Sequence, residues 1–74
     1  MTVRDFDQLS RGKVDYTIHK DGTVIDGFTR DLLQDTEVYR RNLVKYYMYE
    51  DAEIFDIYSF GDIIRIQANA KTDR

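Results

Sequence analysis

His19 is the only histidine in this 74-residue chain, and there is no cysteine. Nucleophilic catalysis sets an activated hydroxyl or thiol beside an imidazole that a third group orients, and structural or catalytic zinc takes three or four nitrogen, sulfur or carboxylate ligands. One imidazole without a second supports no metal pair, and no thiol is present to be activated. In Val14-Asp15-Tyr16-Thr17-Ile18-His19 the histidine falls on the polar side of an alternating run, so a solvent-facing strand residue is expected. Phosphate loops need clustered glycines whose amides converge, whereas Gly12, Gly22, Gly27 and Gly61 stand apart. Carboxylates are plentiful, but acid and base work needs two of them in a walled cleft that separates their pKa values. Glu50, Asp51 and Glu53 could hold a divalent cation weakly, and their spacing is not that of an EF-hand loop. No catalytic residue, metal site or cofactor is expected, and the chain reads as non-enzymatic.

Two groups remain that bind rather than react. Arg40, Arg41 and Lys45 cluster on a helical stretch, Arg41 and Lys45 one turn apart, and would meet phosphates in a small nucleic-acid-associated regulator. Against that alternative stand a net charge of -3 and an isoelectric point near 4.9. The second group runs from Tyr46 to Phe60. It holds six of the chain's ten aromatic residues and four acids, with no basic residue among them. Rigid amphipathic rings beside carboxylates make a protein-binding patch: rings anchor, and charge steers a basic partner. The candidate contact residues are Tyr46, Tyr49, Glu50, Asp51, Glu53, Tyr58 and Phe60, with Tyr49, Tyr58 and Phe60 expected to reach solvent. In the competing reading the rings complete a small core and the acids solvate its rim.

The elements that carry these groups are legible from periodicity. Thr2 caps a short helix, Asp5 favours its positive end, and Val3, Phe6 and Leu9 share one face. Gly12 is read as its left-handed stop. From Val14 the period is two, and Asp21-Gly22 is the preferred two-residue hairpin turn. That closure sets Ile18 against Ile25 and Tyr16 against Gly27, giving an apolar face of Val14, Tyr16, Ile18 and Ile25. A turn of helix through Leu32 and Leu33 precedes a break at Gln34 to Thr36. A longer helix capped by Asp35 or Thr36 follows, with Tyr39, Leu43, Tyr46 and Tyr47 along one stripe. After Asp51 alternation returns. Phe55, Ile57, Ile64 and Ile66 form one face of a second hairpin that turns at Ser59-Phe60-Gly61-Asp62, with Gly61 in the positive-φ position of a type II turn and Asp56 opposite Arg65. A shift of 39 residues lays Tyr16 on Phe55, Ile18 on Ile57 and Gly22 on Gly61, so an internal duplication is a reading to test. The tail from about residue 70 should fray.

The order α-β-β-α-β-β predicts one α+β domain over residues 1–74: a four-stranded, largely antiparallel sheet with the longer helix packed on one face. Charges at Arg4, Asp5 and Asp7 sit where a secretory leader would be apolar, and no run reaches membrane-spanning length, so a cytoplasmic protein is expected. A capped N-terminal helix, a hairpin with Asp21-Gly22, a tyrosine-rich helix and a strand pair ending Ile64-Arg65-Ile66-Gln67-Ala68 make a pattern that resembles the small acidic proteins of bacteriophages and mobile elements of low-GC Gram-positive bacteria. Some of that class inhibit host defence, anti-CRISPR proteins among them. The resemblance implies a stoichiometric inhibitor or adaptor in a bacterial host cell, acting by steric and acidic-surface binding on a defence nuclease such as a CRISPR effector. It carries over no functional residue, and a net charge of -3 argues against an extensive DNA mimic. The leading reading is thus a protein-binding module with a basic partner. The alternative is a self-associating assembly protein, a homodimer for instance, that pairs through rings or a sheet edge.

Overall fold

A computed structural model describes residues 1–10, 12–31 and 36–71, with the side chains of 36–41 outside the description. The elements are α1 (Val3–Leu9), β1 (Val14–Lys20), β2 (Thr23–Arg30), α2 (Thr36–Tyr49), β3 (Glu53–Phe60) and β4 (Ile63–Asn69). The predicted turn at Leu32 and Leu33, the Gln34 and Asp35 part of the break and cap, and residues 72–74 of the tail fall outside the described residues; Thr36 opens α2, and Ala70, where fraying was expected to begin, donates its N–H to His19 C=O (2.8 Å).

The four strands form one sheet in the order β2-β1-β4-β3. Both hairpins are antiparallel, but the central pair, β1 with β4, is parallel, so the sheet is mixed rather than purely antiparallel. The parallel pair has a simple origin. The connection through α2 carries the chain from one edge of the sheet to the other, and the second hairpin then joins by its returning strand.

α1 begins as its residues require. Thr2 accepts from the Asp5 N–H, and the Asp5 carboxylate accepts from the Thr2 N–H, a complete capping box. The Thr2 N–H, and after it the Thr2 side chain, hold the Asp5 carboxyl below its usual range. The helix ends at Ser10 in extended conformation, whose N–H donates to Phe6 C=O, so Gly12 is not the left-handed stop it was expected to be. Val3 is buried and Phe6 packs on the core, whereas Leu9 is exposed and leaves the predicted face. With only seven residues, α1 depends on tertiary anchors: Val3 N–H donates to Ala52 C=O (3.0 Å) and Arg4 N–H to Glu50 C=O (2.9 Å).

The first hairpin turns at Asp21-Gly22 with both residues at positive φ, as a type I′ loop demands. Its register departs from expectation. Beyond Lys20↔Thr23 and His19↔Val24 the ladder shifts, and Ile25 is left over as a bulge before Ile18↔Asp26, Thr17↔Gly27 and Tyr16↔Phe28. One extra residue moves everything behind it to the other face. Tyr16 therefore stacks on Phe28 (centroids 5.0 Å apart) instead of covering Gly27, and Ile25 is exposed instead of joining the core. The second hairpin closes over Gly61-Asp62, one residue later than predicted. Only Gly61 has positive φ, the pattern of a type II′ loop. Tyr58, not Asp56, then faces Arg65; Asp56 faces Gln67, and Phe55 is a bulge.

The core is Val3, Val14, Tyr16, Ile18, Phe28, Tyr46, Ala52, Ile66 and Ala68, with Leu43, Tyr49, Ile54 and Ile64 packed against it. Each fully buried valine or isoleucine contributes about 1.5–3 kcal/mol by leaving water. α2 meets the sheet at β2, where Lys45 Nζ donates to Asp26 Oδ1 (2.9 Å) and Thr29 N–H to Asn42 Oδ1 (3.4 Å). β3, which the 39-residue shift lays on β1, does not share its place: β1 is central and alternately buried, while β3 is an edge strand exposed along most of its length. The 39-residue correspondence is therefore one of hairpin pattern, not of position in the sheet.

Candidate functional site

Strand β3 owes its character to what lies on either side of it. β4 covers one edge, and the face shared with Ile57 and Ile66 looks toward the core. The opposite face of the sheet carries Asp15, Thr17 and His19 from β1, with Arg65 and Gln67 from β4. The bulge turns Phe55 onto this second face, where its ring meets His19 edge-on (5.1 Å), and the His19 imidazole hydrogen-bonds the Gln67 side chain. Tyr58 and Phe60 follow at alternate positions, and the Arg65 guanidinium lies 5.1 Å from the centre of the Phe60 ring.

The exposures are large for such residues. Phe55 is 54%, Ile57 48%, Tyr58 41% and Phe60 66% accessible. Glu53 and Asp56 stand among them and Asp62 follows in the turn, all exposed. The result is a run of exposed aromatic and aliphatic side chains along the edge strand, dotted with carboxylates.

The seven predicted contact residues are separated by the fold. Tyr58 and Phe60 lie on the strip, and Glu53 flanks it with its carboxylate 3.9 Å from Lys71 Nζ. Tyr46 is 7% exposed and belongs to the core, so its ring offers no contact surface. It is held there by Arg30, whose guanidinium sits 4.5 Å over the ring while donating twice to Asp7 (2.9 and 3.1 Å). Burial, with Asp7 and Glu50 nearby, pushes the Tyr46 hydroxyl pKa up. Tyr49 is half-buried against Phe28 (centroids 6.4 Å apart), and its pKa is likewise raised by burial and by Asp26. Glu50 is taken up by Arg4, raising the pKa of that guanidinium. Asp51 lines a concavity of about 250 Å³ at the far end of the sheet, together with Lys20, Ile25, Met48, Tyr49 and Lys71.

Of the basic group, the Arg40 and Arg41 side chains lie outside the described residues, and Lys45 is bound to Asp26 and Gly27 C=O. At Asp26 burial works to raise the pKa, but bonds from Lys45 and from the Gly27 N–H outweigh it and leave the carboxyl below its usual range. Among the described residues no three histidine, cysteine or carboxylate side chains gather as a metal set, and no helix is long and apolar enough to cross a membrane.

Phe55 lies on the outer face although its alternation assigns it to the core, and Ile57, on the core side as expected, stays about half in water because β3 is the edge strand. A signal for this exists in Glu53–Phe60: apolar side chains occupy 54, 55, 57, 58 and 60, more than one face of a strand can bury. No family model matches the chain, and searches of curated proteins and of solved structures return no significant match.

Proposed function

We propose that this chain is a non-enzymatic protein-binding module that presents Phe55, Tyr58 and Phe60 to a partner with a basic surface. The observation that carries the reading is the exposure of Phe55, Tyr58 and Phe60 on the outer face of β3, each at least 41% accessible. In this reading α2 is the layer that closes the core face, which leaves the opposite face for the partner. Glu53, Asp56 and Asp62 supply the steering charge. Relative to the expected set, which ran from Tyr46 to Phe60, this reading keeps the β3 members Tyr58 and Phe60, adds Phe55, and leaves out the residues at the end of α2. The resemblance to phage proteins supports an inhibitor of a host defence nuclease, and a basic nucleic-acid channel is a partner surface of the required sign.

The test is affinity capture from a bacterial lysate with the wild-type chain and with a Phe55→Ser, Tyr58→Ser, Phe60→Ser variant, each first checked for folding by circular dichroism. The wild type should retain a partner that the variant loses by at least about tenfold. Association with that partner should slow about tenfold between low and high salt. Equal capture by both chains, or a rate indifferent to salt, would refute the assignment.

A further inference from the structure

The two edges of the sheet differ in what happens to their backbone. Along the second half of β2 outward groups are occupied: Thr29 N–H donates to Asn42 Oδ1, Gly27 N–H to Asp26 Oδ1 (2.8 Å), and Gly27 C=O accepts from Lys45 Nζ (3.4 Å). At the start of β3 the N-terminal residues do the same, since Ile54 N–H donates to Met1 C=O (2.9 Å) and Thr2 bridges to Glu53. Past that point the edge is bare. Phe60 and Ile63 flank a two-residue loop, so bonding toward β4 falls on Phe60, Tyr58 and Asp56, and the N–H and C=O of Ile57 and Ser59 face away from the sheet. Among the described residues nothing meets them. β3 also lacks lysine and proline, the residues that commonly blunt an edge.

We propose that this edge is the seam of a symmetric homodimer in which two β3 strands pair antiparallel with Tyr58 on the two-fold axis. The register follows from the free groups. Outward residues must meet outward residues, so Ile57 exchanges bonds with Ser59 of the second copy. Tyr58 faces its own counterpart in a close, non-hydrogen-bonded pair, and Asp56 faces Phe60. A register centred on Ile57 would also satisfy the backbone, but it would set Phe60 against Ile54, where Met1 already occupies the edge.

Charge selects the same arrangement. Arg65 has a buried Nε with no hydrogen-bond partner among the described residues, its closest carboxylate being Asp15 at 4.0 Å. Asp56 is exposed and has no ion pair among the described residues. With Tyr58 on the axis, Asp56 of each copy approaches the Phe60 ring and Arg65 guanidinium of the other, and no acid directly opposes an acid. The seam uses the backbone edge and leaves the outer-face rings side by side across the joined sheets. It does not depend on the partner-binding reading.

Sedimentation equilibrium of the full chain over roughly 1–500 µM should show a monomer–dimer equilibrium with Kd on the order of 10 µM, given the small area of a single strand seam. Ile57→Pro, at a half-exposed position whose N–H faces away from β4, should abolish the dimer. Because the chain has no cysteine, position-specific cross-linking is clean. Tyr58→Cys should oxidise to a covalent dimer. Phe60→Cys should not, because its counterpart lies about 13 Å along the seam, beyond disulfide reach. Asp56→Arg should weaken association about tenfold, and adding Arg65→Asp should restore it. A monomer at the highest concentration, equal cross-linking at 58 and 60, or failure of the charge swap to rescue would overturn the proposal. So would a monomeric chain that instead takes up a lysine-rich extended peptide along β3.

Discussion

The β1–β2 hairpin and the β3–β4 hairpin are built from similar materials, and the sheet uses them in opposite ways. Each has a two-residue loop with a glycine at positive φ, each alternates aromatic and aliphatic side chains, and each is interrupted by one bulge, at Ile25 and at Phe55. In the first hairpin the leading strand is central, and Val14, Tyr16 and Ile18 vanish into the core. In the second the leading strand is the edge, and Phe55 and Ile57 stay in water. Position in the strand order, not local composition, therefore decides whether an apolar alternation becomes core or stays in water. The bulges sharpen the difference, since each moves one large apolar residue out of the face that the period assigns to it.

The comparison is most directly broken by truncating equivalent isoleucines. Ile18→Ala should cost about 3 kcal/mol, because it leaves a cavity in a fully buried site, whereas Ile57→Ala, half in water, should cost about 1 kcal/mol or less. Urea denaturation of both variants at a concentration low enough to keep the chain monomeric measures the gap, and equal losses would mean that β3 is as buried as β1.

A second effect belongs to the first hairpin alone. The Tyr16 hydroxyl is buried without a hydrogen-bond partner among the described residues, and burial, with Asp7 and Tyr46 close by, pushes its pKa up. The raised folded value fixes the sign. Below pH 10 the tyrosine is protonated in both states and stability is whole. As pH climbs past 10 the unfolded chain ionises first, and stability is lost at about 1.4 kcal/mol per pH unit for this residue. Tyr16→Phe should remove that share of the alkaline slope, which urea denaturation at a series of pH values above 9 measures.

The smallest expected difference lies at the turns. Gly22 and Gly61 have φ of +79° and +64°, so alanine at either should cost about 1 kcal/mol by forcing a left-handed backbone on a β-carbon. Thermal melts of the two variants should agree closely. A much larger loss at Gly61 would show that the second hairpin depends on its loop more than the first does.

Several features were legible in the residues themselves. Thr2 with Asp5 announces a capped helix, Asp21-Gly22 a type I′ turn, and the alternation of Val14, Tyr16 and Ile18 a buried strand face, and all three are found. Of the three rings expected to reach solvent, Tyr58 and Phe60 do, while Tyr49 is half-buried against Phe28; Tyr46 is buried because Arg30 and Asp7 come from distant parts of the chain to close over it. Backbone conformation and periodicity answer to neighbours a few residues away, and a single sequence reports them directly. A bulge, by contrast, exists only against a partner strand, and an edge only against a whole sheet. The sequence by itself determined the order of elements and where each begins to alternate. The tertiary structure alone decided the parallel β1–β4 pairing, the registers behind Ile25 and Phe55, and the exposure of β3. Those depend on which strands compete for the two central places, a contest settled by how much apolar surface the whole molecule can bury at once.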